Sequence, residues 1–515
     1  MGLIVVTEPQ SLAFGRSRPT LEWHCISIDL PSLRVTSSDP VATRPMAHPQ
    51  TVTPHPLAVP PAPFVPAAVP WQEPPPDRLL KAIAWMLFAY IWRVQDALPV
   101  LAKIQLPLLV TGLAIAFFVS SRQRARRLTL IRSPLLWLVV ILLGVMLIGV
   151  PTSLWPARSL SFAVKSETEN IVLLGLVAVS VRSMRDIEWF AKVNLYGALF
   201  FSFIVSLFFH VGADGRLGNL VFYDANDFAL VMVVTIPFAL YFLRAGNARR
   251  GRLLGLITLG FILIGIVKSG SRGGFIALVA VMTYALLLYR ALPRRVRMSV
   301  AVAGVGFIAV LGSDRYWTQI STIAHPEGDY NWTGSFGRKA VWERGLGYVE
   351  HHPLFGVGVG SFPIAEGESD IALSLTTQGH GFKWSVAHNS FLETAAELGI
   401  PGFIVFVSFF VVAIRMLVAM RPGRRYGPWV SKRELAVSQM LIASFIGFIV
   451  AGIFVSAEYF SYLYFLLGLV IALDKVLKMR CDAGWAALAM ARQVRLGGPQ
   501  PVPVASMGRQ PLPAP

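Results

Sequence analysis

The chain has 515 residues, 55% of them hydrophobic and 14% charged, with a formal net charge of +18. A soluble domain would be about one-quarter charged, so repeated apolar runs near the ~20 residues that a bilayer requires mark an all-α polytopic membrane protein. The positive charge sits in short loops between those runs, as cytoplasmic loops do, which removes nucleic acid as the partner it would otherwise suggest.

At the start, MGLIVVTEPQ has neither the basic opening nor the continuous apolar run of a signal peptide. Val6 stands where a myristoylation motif needs Ser or Thr. Residues 40–76 are dense in proline, which lacks the amide hydrogen a helix uses. Residues 1–76 are therefore expected to form a Pro-rich, disordered cytoplasmic tail.

Apolar patterning predicts about twelve transmembrane helices, near 79–97, 104–121, 134–150, 167–182, 189–209, 226–244, 253–269, 273–290, 298–313, 397–419, 435–455 and 459–478. This divides the chain into a first bundle of about nine spans (77–313), a segment 314–396, three last spans (397–478) and a loose cytoplasmic tail (479–515). Arg and Lys crowd 122–132, 182–186, 244–252, 290–297 and 421–433, so these loops should be cytoplasmic, together with both termini. The long segment 314–396 should face outward, be largely helical and pack over the membrane face. Arg216, Arg272 and Arg338 then break the charge rule and need a reason. Cys25 and Cys481 lie far apart, so neither a disulfide frame nor a metal site is indicated.

Three places carry chemistry. Arg272 lies in KSGSRGG, a turn whose glycines let backbone amides approach a ligand just where a helix begins. Arginine at membrane depth costs ~2.5–3.5 kcal/mol on insertion scales and so requires a partner. Arg338 and Lys339 open SFGRKAVWERG, where helical spacing puts Arg338 and Trp342 on one face. A guanidinium there suits a diphosphate, because its planar fork donates two hydrogen bonds at once. His388 in AHNS precedes FLETAAELGIPGF, and a neutral imidazole in that place can take a proton from a hydroxyl. Asn389 and Ser390 suit helix capping, with Glu393 at capping-box distance from Ser390.

Each position also has a plainer reading taken alone: a snorkelling arginine, a solvated basic helix, a satisfied interfacial histidine. HHPLFGVGVGSFP lacks the Walker lysine and a preceding strand, so it reads as a tight turn and not a nucleotide loop. No HExxH, GxSxG or CxxC pattern occurs. Asp224 and Asp227 in FYDANDF are placed to cap the following helix.

Four stretches in order, RLGNLVFYDANDFAL with Pro237 after it, SGSRGG, SFGRKAVWERG and HPLFGVGVGSFP…AHNSFLETAAELGIPGF, resemble the O-antigen ligase and polymerase family of bacterial envelope glycosyltransferases. The resemblance covers roughly 80–475 and departs at Ala225, where proline is frequent in the family; residues 366–385 carry no motif. It implies a GT-C-like fold in the bacterial inner membrane with a periplasmic active site between the ninth and tenth spans. It implies an undecaprenyl-diphosphate-linked glycan as donor and lipid A core or another glycan as acceptor. Arg272 and Arg338 match the arginines that would bind the donor diphosphate, and His388 the histidine proposed as base. Arg216, Lys339 and Asn389 stand as possible supporting residues, and no cofactor or metal is implied. A repeat-unit polymerase shares the donor chemistry. A transporter or flippase is the alternative of a different class, disfavoured by the length of the outward segment.

Overall fold

Every apolar run forms helix. We number the helices α1 (Arg78–Tyr90), α2 (Leu106–Val119), α3 (Pro134–Gly149), α4 (Thr168–Ser180), α5 (Met184–Phe208), α6 (Ala225–Phe242), α7 (Arg249–Ser269), α8 (Arg272–Leu287), α9 (Arg294–Leu311), α10 (Asp314–Ser321), α11 (Arg338–His351), α12 (Ser390–Ala419), α13 (Lys432–Gly452) and α14 (Ser461–Arg495). The computed structural model describes residues 73–495 except 98, 213–216, 218–222, 245–247, 329–331, 333, 335–336, 369–384, 422–424 and 427–428. Those residues all lie in one compact unit, Val65–Pro515.

The ends of the helices follow local chemistry. Asp224 caps α6 by accepting from the amides of Asn226 (2.6 Å) and Asp227 (2.8 Å), and Asp227 accepts in return from the Asp224 amide at 3.2 Å. The sequence placed this pair to cap the helix, and the structure shows the cap as a reciprocal capping box. Apolar on every side, α6 is the centre of the bundle: 94% of its apolar window is buried, and it packs on α5, α7, α8 and α13. Peripheral α3 has only 28% of its window buried, leaving an apolar surface for lipid.

Among the described residues, six helices are long and apolar enough to cross a membrane, or seven if α9 and α10, bent by 111° at their junction, form one broken span. That is fewer than the twelve expected. The difference comes partly from short helices such as α2, whose 14 residues extend about 21 Å at ~1.5 Å per residue, against ~30 Å of hydrocarbon.

Polar contacts divide the bundle into two ends. At one, Arg433 bridges Glu73 (2.9 Å) and Glu188 (2.7 Å), Arg126 pairs with Asp77 at 2.7 Å, and Arg182 with Asp186 at 2.9 Å. The basic loops thus gather together, and residues 73–76, expected as part of a loose tail, are held among them by Arg182 on the Pro75 carbonyl and Arg185 on that of Glu73. A second departure is at the other terminus. Helix α14 runs on to Arg495 through residues expected to be loose, because AGWAALAMAR is rich in good helix formers and Trp485 packs on Trp429 with ring centroids 6.1 Å apart.

The opposite end holds the connections after α3, α5, α7 and α13 and the segment between α10 and α12. In its described parts that segment is largely helical, as expected. It is built onto the bundle, since α11 packs on the first half of α12. Val341, Phe362, Ala387 and Ala396 form a small core there, with Tyr348 and Val349 against it. Leu354 remains 64% exposed.

Candidate active site

Arg272 is placed by a helix-to-helix turn. Gly270, in the left-handed region at φ 60°, ends α7, and the Ser271 hydroxyl then caps α8 by accepting from the Gly274 amide at 3.1 Å. The same hydroxyl donates to Asn226 Oδ1 at 2.9 Å, tying this turn to the α6 cap. Half-buried Arg272 donates from Nη1 to Thr322 Oγ1 at 2.7 Å, at the end of α10. The glycines after Arg272 are closely packed: a Cβ on Gly273 would sit 2.6 Å from Phe454, and one on Gly274 2.5 Å from Ala229.

Arg338 is the first residue of α11, half-buried, and one turn on the Trp342 indole N–H donates to the Ala387 carbonyl at 2.9 Å. Lys339 is exposed and 4.0 Å from Glu343, an ordinary surface pair. Further along α11, Arg344 reaches Glu366 at 2.5 Å, with the Tyr348 hydroxyl on the same carboxylate at 2.9 Å. The hydrogen bonds to Glu366 hold the Arg344 guanidinium above its ordinary pKa, so this arginine is engaged within the segment.

His388 is half-buried with φ 47°, in the left-handed region. Asn389 caps α12, its Oδ1 accepting from Phe391 (3.0 Å) and Leu392 (3.1 Å). Glu393 does not complete a box with Ser390. Its Oε2 instead accepts from the Ala387 amide at 3.1 Å and from the Ser456 hydroxyl. Ser390 turns inward, donating to the Val455 carbonyl at 2.7 Å and accepting from the Ala457 amide at 2.8 Å.

The glycine segment 356–360 lies beneath. Gly356, Gly358 and Gly360 all have positive φ, and the Gly360 and Phe362 amides donate to Glu397 at 2.9 and 3.0 Å. The Gly356, Val357 and Gly358 amides donate to the carbonyls of His352, Ala396 and Glu397, so the segment is a tight turn fastened to α12. Glu393, Glu397 and Glu458 were not expected as a group, yet they are 5%, 1% and 4% exposed and interact with one another. Their signal in the sequence was slight: two glutamates four apart on one helix, and one just before the last span.

Arg338 and Trp342 lie one turn apart on α11, and the Trp342 indole bonds to Ala387, the residue before His388. From Ser390 contacts pass to residues 453–460, and through Phe454 to Gly273 beside Arg272. The three residues singled out in the sequence thus stand on one connected framework at one end of the bundle. Arg216 lies outside the described residues.

A bundle of apolar helices with basic loops at one end and this framework at the other is a multi-pass helical membrane protein. Residues 254–407, from within α7 to within α12, match the family model described as O-Antigen ligase, which supports an O-antigen ligase- or polymerase-like family for the chain. Members of that family are membrane glycosyltransferase-like enzymes. The match takes in Arg272, Arg338, Lys339, His388 and Asn389 and is narrower than the stretch over which the motifs carry the resemblance. No curated protein matches the chain.

Proposed function

We propose that this protein is an O-antigen-ligase-like glycosyltransferase of the bacterial inner membrane, moving a glycan from undecaprenyl-diphosphate to an acceptor hydroxyl on the periplasmic face. The observation that carries the reading is the framework joining Arg272, Arg338 and His388 at the end of the bundle away from the basic loops. Arg272 and Arg338 bind the donor diphosphate and offset its charge as the bond from the anomeric carbon to the diphosphate oxygen breaks. The acceptor oxygen attacks that carbon from the opposite face, its proton passes to His388, and the lipid diphosphate leaves, so the anomeric configuration inverts. The activated donor carries the energy of the reaction.

The test is transfer by purified protein in lipid nanodiscs from an undecaprenyl-diphosphate-linked glycan. His388→Ala should lower turnover by ~10²–10⁴-fold, the usual range for a positioned acid–base group, while donor binding changes little. Arg338→Ala should weaken donor binding, and Arg338→Lys should restore it only in part, because an ammonium cannot reproduce a bidentate contact. Lipid A core and a second lipid-linked repeat unit are offered as acceptors in parallel, and use of the latter alone would make the protein a polymerase. Vesicle transport of the glycan without any transfer would replace the reading with a transporter.

A further inference from the structure

His388 is one of three non-glycine residues with positive φ among the described residues, beside Arg93 and Gln105. The left-handed conformation costs an L-residue about 1–2 kcal/mol, and such strain persists only where surrounding contacts hold it. Those contacts are in place on both sides of the residue. Before it, Ala387 is fully buried and fixed at both its polar atoms: its amide donates to Glu393 Oε2 at 3.1 Å, and its carbonyl accepts from Trp342 Nε1 at 2.9 Å. The second bond sets the peptide plane from which His388 departs. After it, Asn389 is committed to capping α12. Glu393 is in turn held by the Ser456 hydroxyl, and Trp342 packs edge-on against Trp332 with centroids 5.7 Å apart. Three elements, α11, α12 and the 453–460 connection, thus fix a single backbone conformation at the proposed base.

We propose that Trp342 and Glu393 are positioning residues that hold His388 in its left-handed conformation through the two polar atoms of Ala387, and so set the direction of its imidazole. The proposal rests on the role of His388 given above. Neither residue touches the reacting atoms. Each acts because a displacement of ~1 Å at a catalytic group costs about 10²-fold in rate.

Substitutions that remove the hydrogen bonds to Ala387 provide the test. Trp342→Phe keeps an aromatic ring to pack on Trp332 and loses the N–H together with the second ring of the indole. Glu393→Gln keeps an acceptor oxygen for the Ala387 amide, whereas Glu393→Ala removes it. In nanodiscs, Trp342→Phe and Glu393→Ala should lower kcat by about 10²-fold, with KM for the lipid-linked donor within about twofold of the parent. Glu393→Gln should recover most of the loss. A merely structural role would instead move KM and donor binding together with kcat. Unchanged kcat in Trp342→Phe and Glu393→Ala, while His388→Ala is inactive, would overturn the positioning role and leave the base in place. A Glu393→Gln variant as slow as Glu393→Ala would overturn it too, by showing that the charge matters and not the acceptor. Near-normal turnover in His388→Ala would instead overturn the base itself.

Discussion

Glu458 lies in the connection between α13 and α14, 4% exposed, and its Oε2 meets no hydrogen-bond partner among the described residues. Burial first, then the neighbouring Glu393 and Glu397 carboxylates, push its pKa well above the ordinary 4.5. The folded protein therefore holds a proton that the unfolded chain releases, so stability is fullest below the ordinary carboxylate range and falls as pH rises from there toward the raised value. Melting in detergent should occur at a higher temperature at pH 5 than at pH 8, and Glu458→Gln should narrow that gap. An equal gap in the two proteins would remove Glu458 as its source. At this scale the sequence showed unevenly. Arg272, Arg338 and His388 stood out because charge and imidazole are rare in apolar surroundings. The carboxylates did not: Glu393 reads as half of a capping box, and only the folded loop shows that its oxygen goes to Ala387.

The helices themselves were largely legible, since each apolar run forms helix close to where its periodicity lies. Their polar extensions were not. The span expected from 397 belongs to α12, which begins at Ser390 and breaks at Gly399, whose φ of 66° lets the Ile400 amide reach the Pro353 carbonyl at 2.8 Å. The residues before that break were assigned to the outward segment, whereas they begin α12 with Glu393 and Glu397 turned inward. The SGSRGG turn shows the same gap between motif and packing. Gly273→Ala would place a Cβ 2.6 Å from Phe454, overpacking that costs ~1–3 kcal/mol. Gly260 in the middle of α7 has nothing within 4 Å of its would-be Cβ, so Gly260→Ala should be neutral or stabilising by up to ~1 kcal/mol. Thermal melting of both variants decides the matter: equal melting temperatures would mean that α8 and the 453–460 connection do not approach as closely as described.

Across the whole molecule, helices alternate between an end rich in Arg–carboxylate pairs and an end built of glycine turns, buried glutamates and α11. The positive-inside pattern anticipated this division because loop charge is a property of sequence. The number of spans was not fixed by the same reasoning, since short and bent helices make length and apolarity poor guides there. The same division of charge sets the orientation of the chain expected from loop charge. With Cys25→Ser and Cys481→Ser as background, one cysteine is placed at exposed Leu346 on α11 and another at exposed Arg122 in the basic connection after α2. In bacterial cells whose outer membrane has been permeabilised, a membrane-impermeant maleimide should label Leu346→Cys. Arg122→Cys should be labelled only after the inner membrane is opened, because basic loops as a rule stay in the cytoplasm. The reverse pattern would put Arg338 and His388 on the cytoplasmic side. There the proposed transfer at the periplasmic face could not take place.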